Sequence, residues 1–139
     1  MLYCLNTSTI KPQSLIDKIR LAGEAGYDGI ELWLNDVFEH VARGGEVSDV
    51  EKALSDHGLI VPSVIRGWEH QLVLDEARRR FALGARLGAP FIVATPPMES
   101  TETEHLPERY RELLELGREE GIRPTFEYIS FFKSVHSLS

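Results

Sequence analysis

The chain has 139 residues, 42% hydrophobic and 27% charged, a balance that suits one soluble globular domain over 1–139. Its 22 Asp and Glu against 15 Lys and Arg give a formal charge of −7, which argues against a nucleic-acid partner because phosphate contacts need clustered cations. No apolar run approaches the roughly 18 residues of a membrane span, and the N-terminus lacks a secretory pattern. The expectation is therefore no membrane partner and a cytoplasmic location. The single cysteine, Cys4, fits a reducing compartment, and its place in the first apolar run reads as a small buried residue.

In chain order, the first apolar run is Leu2–Asn6, and a helical pattern follows over Ser14–Ala25, with Leu15, Ile16, Ile19 and Ala22 on one stripe. Gly29–Leu34 is the second apolar run. Val47–His57 is the second helix, carrying Val47, Val50, Ala53 and Leu54. Ile60–Ile65 precedes a third helix over Leu74–Leu87, and Phe91–Thr95 precedes a fourth over Pro107–Glu120. Arg123–Ile129 is the fifth apolar run. Runs this short and this apolar suit strands buried on both faces, as in parallel sheets. Pro12 and Pro107 suit helix starts, and Asp49 and Glu108 suit the positive end of a helix dipole. The basic run Arg78-Arg79-Arg80 reads as a solvated helix face, and His57 as a helix-end residue.

Gly26, Gly58, Gly88 and Gly121 each close a helix just before the next strand, where a left-handed conformation is required. They recur about every thirty residues, the length of one βαβ unit. Five strands and four helices result. An open dinucleotide-binding sheet carries a Gly-rich turn after its first strand, whereas Asn6-Thr7-Ser8-Thr9 has none. The expected fold is therefore α/β, a parallel (β/α)8 TIM barrel of which this chain supplies the first part, ending after strand five at what reads as the start of another helix. A typical barrel takes about 250 residues. A five-stranded flavodoxin-like binding module is the alternative fold. A half-barrel would also expose apolar strand edges, which predicts a homo-oligomer formed through them without catalysis.

In a parallel barrel the C-terminal strand ends face the active site. Those positions hold Asn6 and Thr7; Glu31, Trp33 and Asn35; Arg66, Trp68 and His70; Thr95; and Glu127 and Ser130. Glu127 lies in the otherwise apolar stretch Pro124–Ile129, where a carboxylate needs a metal or a cation as partner. Glu31 follows the same logic and is read as either a site group or a strand-end ion pair. Trp33 and Trp68 suit the wall of a small-molecule pocket or the barrel core. Of five histidines none makes a metal-ligand pair by spacing, and His70 alone lies near a strand end. His105 reads as solvated.

Three segments carry a resemblance: Gly26-Tyr-Asp-Gly-Ile-Glu-Leu-Trp33, Leu87-Gly-Ala-Pro90, and Gly121-Ile-Arg-Pro-Thr-Phe-Glu127. In their order and spacing they resemble the N-terminal portion of the xylose isomerase-like TIM-barrel superfamily, which includes sugar phosphate isomerases and epimerases, hydroxypyruvate isomerase, inosose dehydratase and endonuclease IV. The resemblance implies a divalent metal (Mn, Mg, Co or Zn) in the full-length parent. Its ligands would be Glu127 and an Asp, a His and a second Glu from later strands. It also implies proton transfer alpha to the carbonyl of a sugar-like substrate, with Glu127 as both ligand and acid/base. Asn6, Glu31, Trp33, Arg66, Trp68 and His70 are the expected substrate contacts. The endonuclease branch places histidines near the ends of strands three and four, where this chain has Arg66 and Thr95. Many epimerases carry a Glu six residues after the strand-five Glu; here that position is Lys133. With one ligand of four, the 139-residue chain is expected to bind metal weakly and to turn nothing over.

Overall fold

A computed structural model describes residues 1–68, 74–96 and 105–128. Five parallel strands form one sheet: β1 (Cys4–Asn6), β2 (Gly29–Trp33), β3 (Val64–Ile65), β4 (Phe91–Val93) and β5 (Arg123–Thr125). They pair in chain order, β1-β2-β3-β4-β5, with Cys4 opposite Gly29, Leu32 opposite Val64, Val64 opposite Ile92 and Phe91 opposite Arg123. A flavodoxin-like sheet reverses direction at its first strand. The unbroken order here removes that alternative and is the order in which a barrel is wound.

The helices are α1 (Leu15–Glu24), α2 (Leu34–Ala42), α3 (Val47–Asp56), α4 (Leu74–Arg86) and α5 (Leu106–Glu120). The expected count of four helices is corrected to five among the described residues. α2 leaves β2 with no intervening loop, its N-cap is Trp33, and no side chain caps it. It therefore lacks the usual start signal, and its first residue, Leu34, extends the apolar run of the strand before it. A 3-10 turn, Thr7–Ile10, follows β1, with Asn6 as its N-cap. Asn35 accordingly sits in the first turn of α2 and not at a strand end.

Strand bounds are shorter than the apolar runs. Ile60 makes only an isolated parallel bridge with Gly29 ahead of β3, and β5 stops at Thr125. Pro12 precedes the helix start; Ser14 caps α1 by accepting from the Asp17 amide. Pro107 does occupy the first turn of α5, and His57 is the C-cap residue of α3. Gly121, at φ 74°, ends α5 in the left-handed region that L side chains avoid, as its position in the repeat requires.

The sheet's two faces differ. Ile30, Leu32, Val64 and Ile92 are fully buried, and they pack with Ile19, Val50, Phe81 and Leu113 from the helices. Their alternates along the strands, among them Glu31, Trp33 and Phe91, are half-buried or exposed. Side chains alternate along a strand, so the helical layer covers one face and the other is open. Cys4 lies on this open side and is exposed, which corrects its expected burial. Within the basic run, Arg78 and Arg79 are exposed as expected, but Arg80 is 7% exposed and belongs to the interior. Gly117 lets α5 approach the sheet; a Cβ there would meet the Ile122 carbonyl oxygen at 2.5 Å. No helix among the described residues is long and apolar enough to cross a membrane.

Candidate active site

The C-terminal ends of β1, β2 and β3 bring Asn6, Glu31, Trp33 and Arg66 to one end of the sheet. Asn6 is fixed twice. Its Oδ1 accepts from the Ser8 amide at 2.8 Å, and its Nδ2 donates to Glu31 Oε2 at 2.5 Å. The other Glu31 oxygen accepts from the Ser63 hydroxyl. Glu31 forms no ion pair among the described residues, so the strand-end ion-pair reading gives way to a carboxylate oriented by two neutral donors. Ser63 is a site residue that the sequence reading passed over. Its signal was its place one residue before β3, on the same alternation as Ile65.

Trp33 is anchored through its backbone, whose N–H donates to the Thr7 hydroxyl at 3.1 Å; Thr7 is fully buried. Its indole is approached by two cations, with Lys11 Nζ 5.1 Å and Arg66 Cζ 4.8 Å from the ring centroid. Trp68 is 5% exposed and lies in the core cluster. The Nε1 atoms of both tryptophans and Nε of Arg66 are buried without a hydrogen-bond partner among the described residues.

Arg66 has φ 82°, the one non-glycine residue among those described in the left-handed region. Such strain persists only where the surroundings over-determine it. Arg80 is the restraint: its Nη1 donates to the Arg66 carbonyl at 3.0 Å and to Asn35 Oδ1 at 3.0 Å, while Nε and Nη2 hold Glu76. Its guanidinium also lies 5.0 Å from the Phe38 ring centroid. One buried arginine on α4 thus ties the end of β3 to the start of α2.

Glu127 lies two residues beyond β5 and is exposed, which corrects its placement inside a buried strand. Its amide donates to Thr95 Oγ1 at 2.9 Å, joining the ends of β4 and β5. Its carboxylate has no partner among the described residues. Among the described residues no three His, Cys, Asp or Glu side chains come together. These residues do not enclose a metal by themselves. His70, Ser130 and Lys133 lie outside the described residues. His105 is exposed, and His40 faces Asp49 with Nε2 at 3.1 Å from Oδ2.

The chain has a parallel α/β fold that matches part of several solved TIM-barrel structures, among them proteins described as xylose isomerase-like. A xylose isomerase domain protein from Alicyclobacillus acidocaldarius matches at TM-score 0.71 and 24% identity, over 93% of this chain and 50% of that one. The 3-keto-D-glucoside 4-epimerase YcjR of E. coli matches at TM-score 0.72 and 18% identity, over 95% and 58%. An IolI protein with a bound zinc atom matches at TM-score 0.71 and 18% identity, over 94% and 52%. The fold also serves a family 2 AP endonuclease from Brucella melitensis, at TM-score 0.69 and 19% identity, over 99% and 61%. The chain spans about half the length of most of these structures. No family model matches the sequence, and no curated protein does.

Proposed function

We propose that this chain forms the first part of the active-site rim of a metal-dependent isomerase or epimerase. The enzyme would act on a sugar-like substrate by proton transfer alpha to a carbonyl. The observation that carries the reading is the row of oriented polar groups at the C-terminal strand ends, the end where parallel barrels do chemistry. An epimerase and a zinc-binding protein among the structural neighbours support it.

Glu127 contributes one carboxylate to the metal and exchanges the substrate's alpha proton, a role for which a carboxylate with no competing partner is suited. A bound divalent metal supplies stabilisation of the negative charge that develops on the carbonyl oxygen. Glu31, held by Asn6 and Ser63, accepts hydrogen bonds from substrate hydroxyls in a fixed orientation. The half-buried Trp33 ring gives an apolar face for the sugar carbons. A nucleic-acid substrate is disfavoured by the charge of −7.

Calorimetric titration with Mn²⁺ tests the assignment. Glu127→Gln is expected to weaken binding about tenfold or more, and to abolish solvent-deuterium incorporation into ketose substrates by the complete barrel enzyme. Equal Mn²⁺ affinity in the variant would remove Glu127 from the metal.

A further inference from the structure

We infer that Thr7 and Thr95 are positioning residues of the rim. Each puts a hydroxyl in place of a main-chain carbonyl where the neighbouring strand leaves the sheet, and so aims Trp33 and Glu127 into the open end. This rests on the proposed function for what those two side chains do there. How they are held is independent of that reading.

The strand registers reveal the replacement. In a parallel pair the bonds recur evenly along the strands. Between β1 and β2 the Gly29 N–H donates to the Tyr3 carbonyl at 3.4 Å, and Asn6 lies opposite Glu31. Carried on in that register, the ladder would give the Trp33 N–H the carbonyl of Thr7. It takes the Thr7 hydroxyl at 3.1 Å, where the chain has turned into the 3-10 segment Thr7–Ile10. Between β4 and β5 the Arg123 N–H donates to the Pro90 carbonyl at 3.0 Å, and Val93 lies opposite Thr125. That ladder, carried on, would give the Glu127 N–H the carbonyl of Ala94. It takes the hydroxyl of the next residue, Thr95, at 2.9 Å. At the end of β3 the acceptor stays on the main chain, for the Gly67 N–H donates to the Val93 carbonyl at 2.9 Å.

A ladder that continued would keep Trp33 and Glu127 within the sheet. A ladder that merely ended would leave the part-buried Trp33 N–H without an acceptor, which is costly. The hydroxyl satisfies the donor while the two chains part. Threonine suits the task because its branched β-carbon restricts χ1 and so fixes the oxygen. Thr7 is fully buried and Thr95 half-buried.

The preceding residues decide which way the held ones face. Leu32, before Trp33, is fully buried in the helical layer. Phe126, before Glu127, meets the Tyr110 ring of α5 edge-on, with centroids 5.4 Å apart and planes at 87°. Alternation then turns the Trp33 ring and the Glu127 carboxylate to the opposite, open side. Each rim residue is thus fixed by an apolar neighbour on the helical side and by a hydroxyl from the adjacent strand end.

Amide hydrogen exchange of the chain, read residue by residue by NMR, tests this with paired variants. Thr95→Val keeps the shape and removes the acceptor, whereas Thr95→Ser keeps the acceptor. Exchange of the Glu127 amide should rise about tenfold in Thr95→Val and return close to the parent rate in Thr95→Ser, with Ile92 unchanged in both. Thr7→Val and Thr7→Ser should do the same to the Trp33 amide, with Leu32 as reference. Thr7→Val should also shift the Trp33 indole N–H resonance and leave that of Trp68 in place. A threonine that served stability alone would raise exchange at the reference amides equally, through global opening. That result, or unchanged exchange at Glu127 and Trp33, overturns the inference. Thr95 is half-buried, so Thr95→Val keeps the fold and gives the answer if Thr7→Val unfolds. A local rise at Glu127, with Mn²⁺ affinity indifferent to Glu127→Gln, keeps the positioning and removes the metal role of Glu127. No local rise, with Glu127-dependent Mn²⁺ binding, removes the positioning and keeps that role.

Discussion

Arg80 shows how far a residue's surroundings can depart from its sequence context. It ends a run of three arginines, two of which are exposed, yet its own side chain is buried and serves the Arg66 carbonyl, Asn35 and Glu76 at once. A pattern of charges on a helix cannot reveal this, because the acceptors come from β3 and α2, far away in sequence. Arg80→Ala leaves a partly buried carbonyl and an amide oxygen without their donor. A loss of about 1.5–3 kcal/mol is expected, read as a lower urea midpoint; an unchanged midpoint would show that the brace contributes nothing. Glu31 and Trp33 were legible as rim residues from alternation within a short apolar run. Thr7 was legible too, as a position at the end of the first strand, but Ser63 and Lys11 were not, since each is chosen by register between strands or by the path of a loop. Glu127 was legible as a lone carboxylate near a strand end, but its exposure follows from β5 ending at Thr125, before the apolar pattern does.

Among the elements, α3 illustrates a start signal that works and α2 one that is missing. The Glu46 amide donates to Asp49 Oδ2 at 2.7 Å, so the carboxylate satisfies a donor that the helix leaves open. That bond, and secondarily the contact with His40, holds the Asp49 carboxyl below the ordinary carboxylate range. A depressed folded value means that the contribution is complete above the unfolded value and is lost as pH falls through the folded one. Below about pH 4 the N-terminal turn of α3 should therefore fray before the rest of the helix. Amide hydrogen exchange at Val47–Val50 checks this, and Asp49→Asn should remove the pH dependence there. α2 could have been found from Leu34, Val37, Phe38 and Val41 at helical spacing. It was hidden because a helix that begins directly after the last strand residue, with that residue as its N-cap, has no polar boundary to mark it.

Across the whole molecule, the thirty-residue repeat and the glycine after each helix made the winding order legible. What lies on the open sheet face was less so, since an apolar strand does not announce which alternate position the helices cover. The covered face carries the stability. Phe81 on α4 is fully buried within the cluster that joins Leu32, Val64 and Ile92 to the helices. Phe81→Ala should cost about 3–5 kcal/mol, seen in thermal or urea unfolding. A change below about 1 kcal/mol would mean that the core collapses to fill the space.

The unbroken strand order also bears on how such a chain acquires its structure. Among the described residues every strand pairs only with those immediately before and after it in sequence. Each pairing therefore closes a loop of similar size, about thirty residues, and the entropy of closure grows only slowly with length. Within these five strands no pairing waits for a distant segment, so each newly emerged unit can dock on the one already formed, and the long-range pairing of a complete barrel would be left to its closure. The growing sheet is its own template, extended one strand at a time from the ribosome outward.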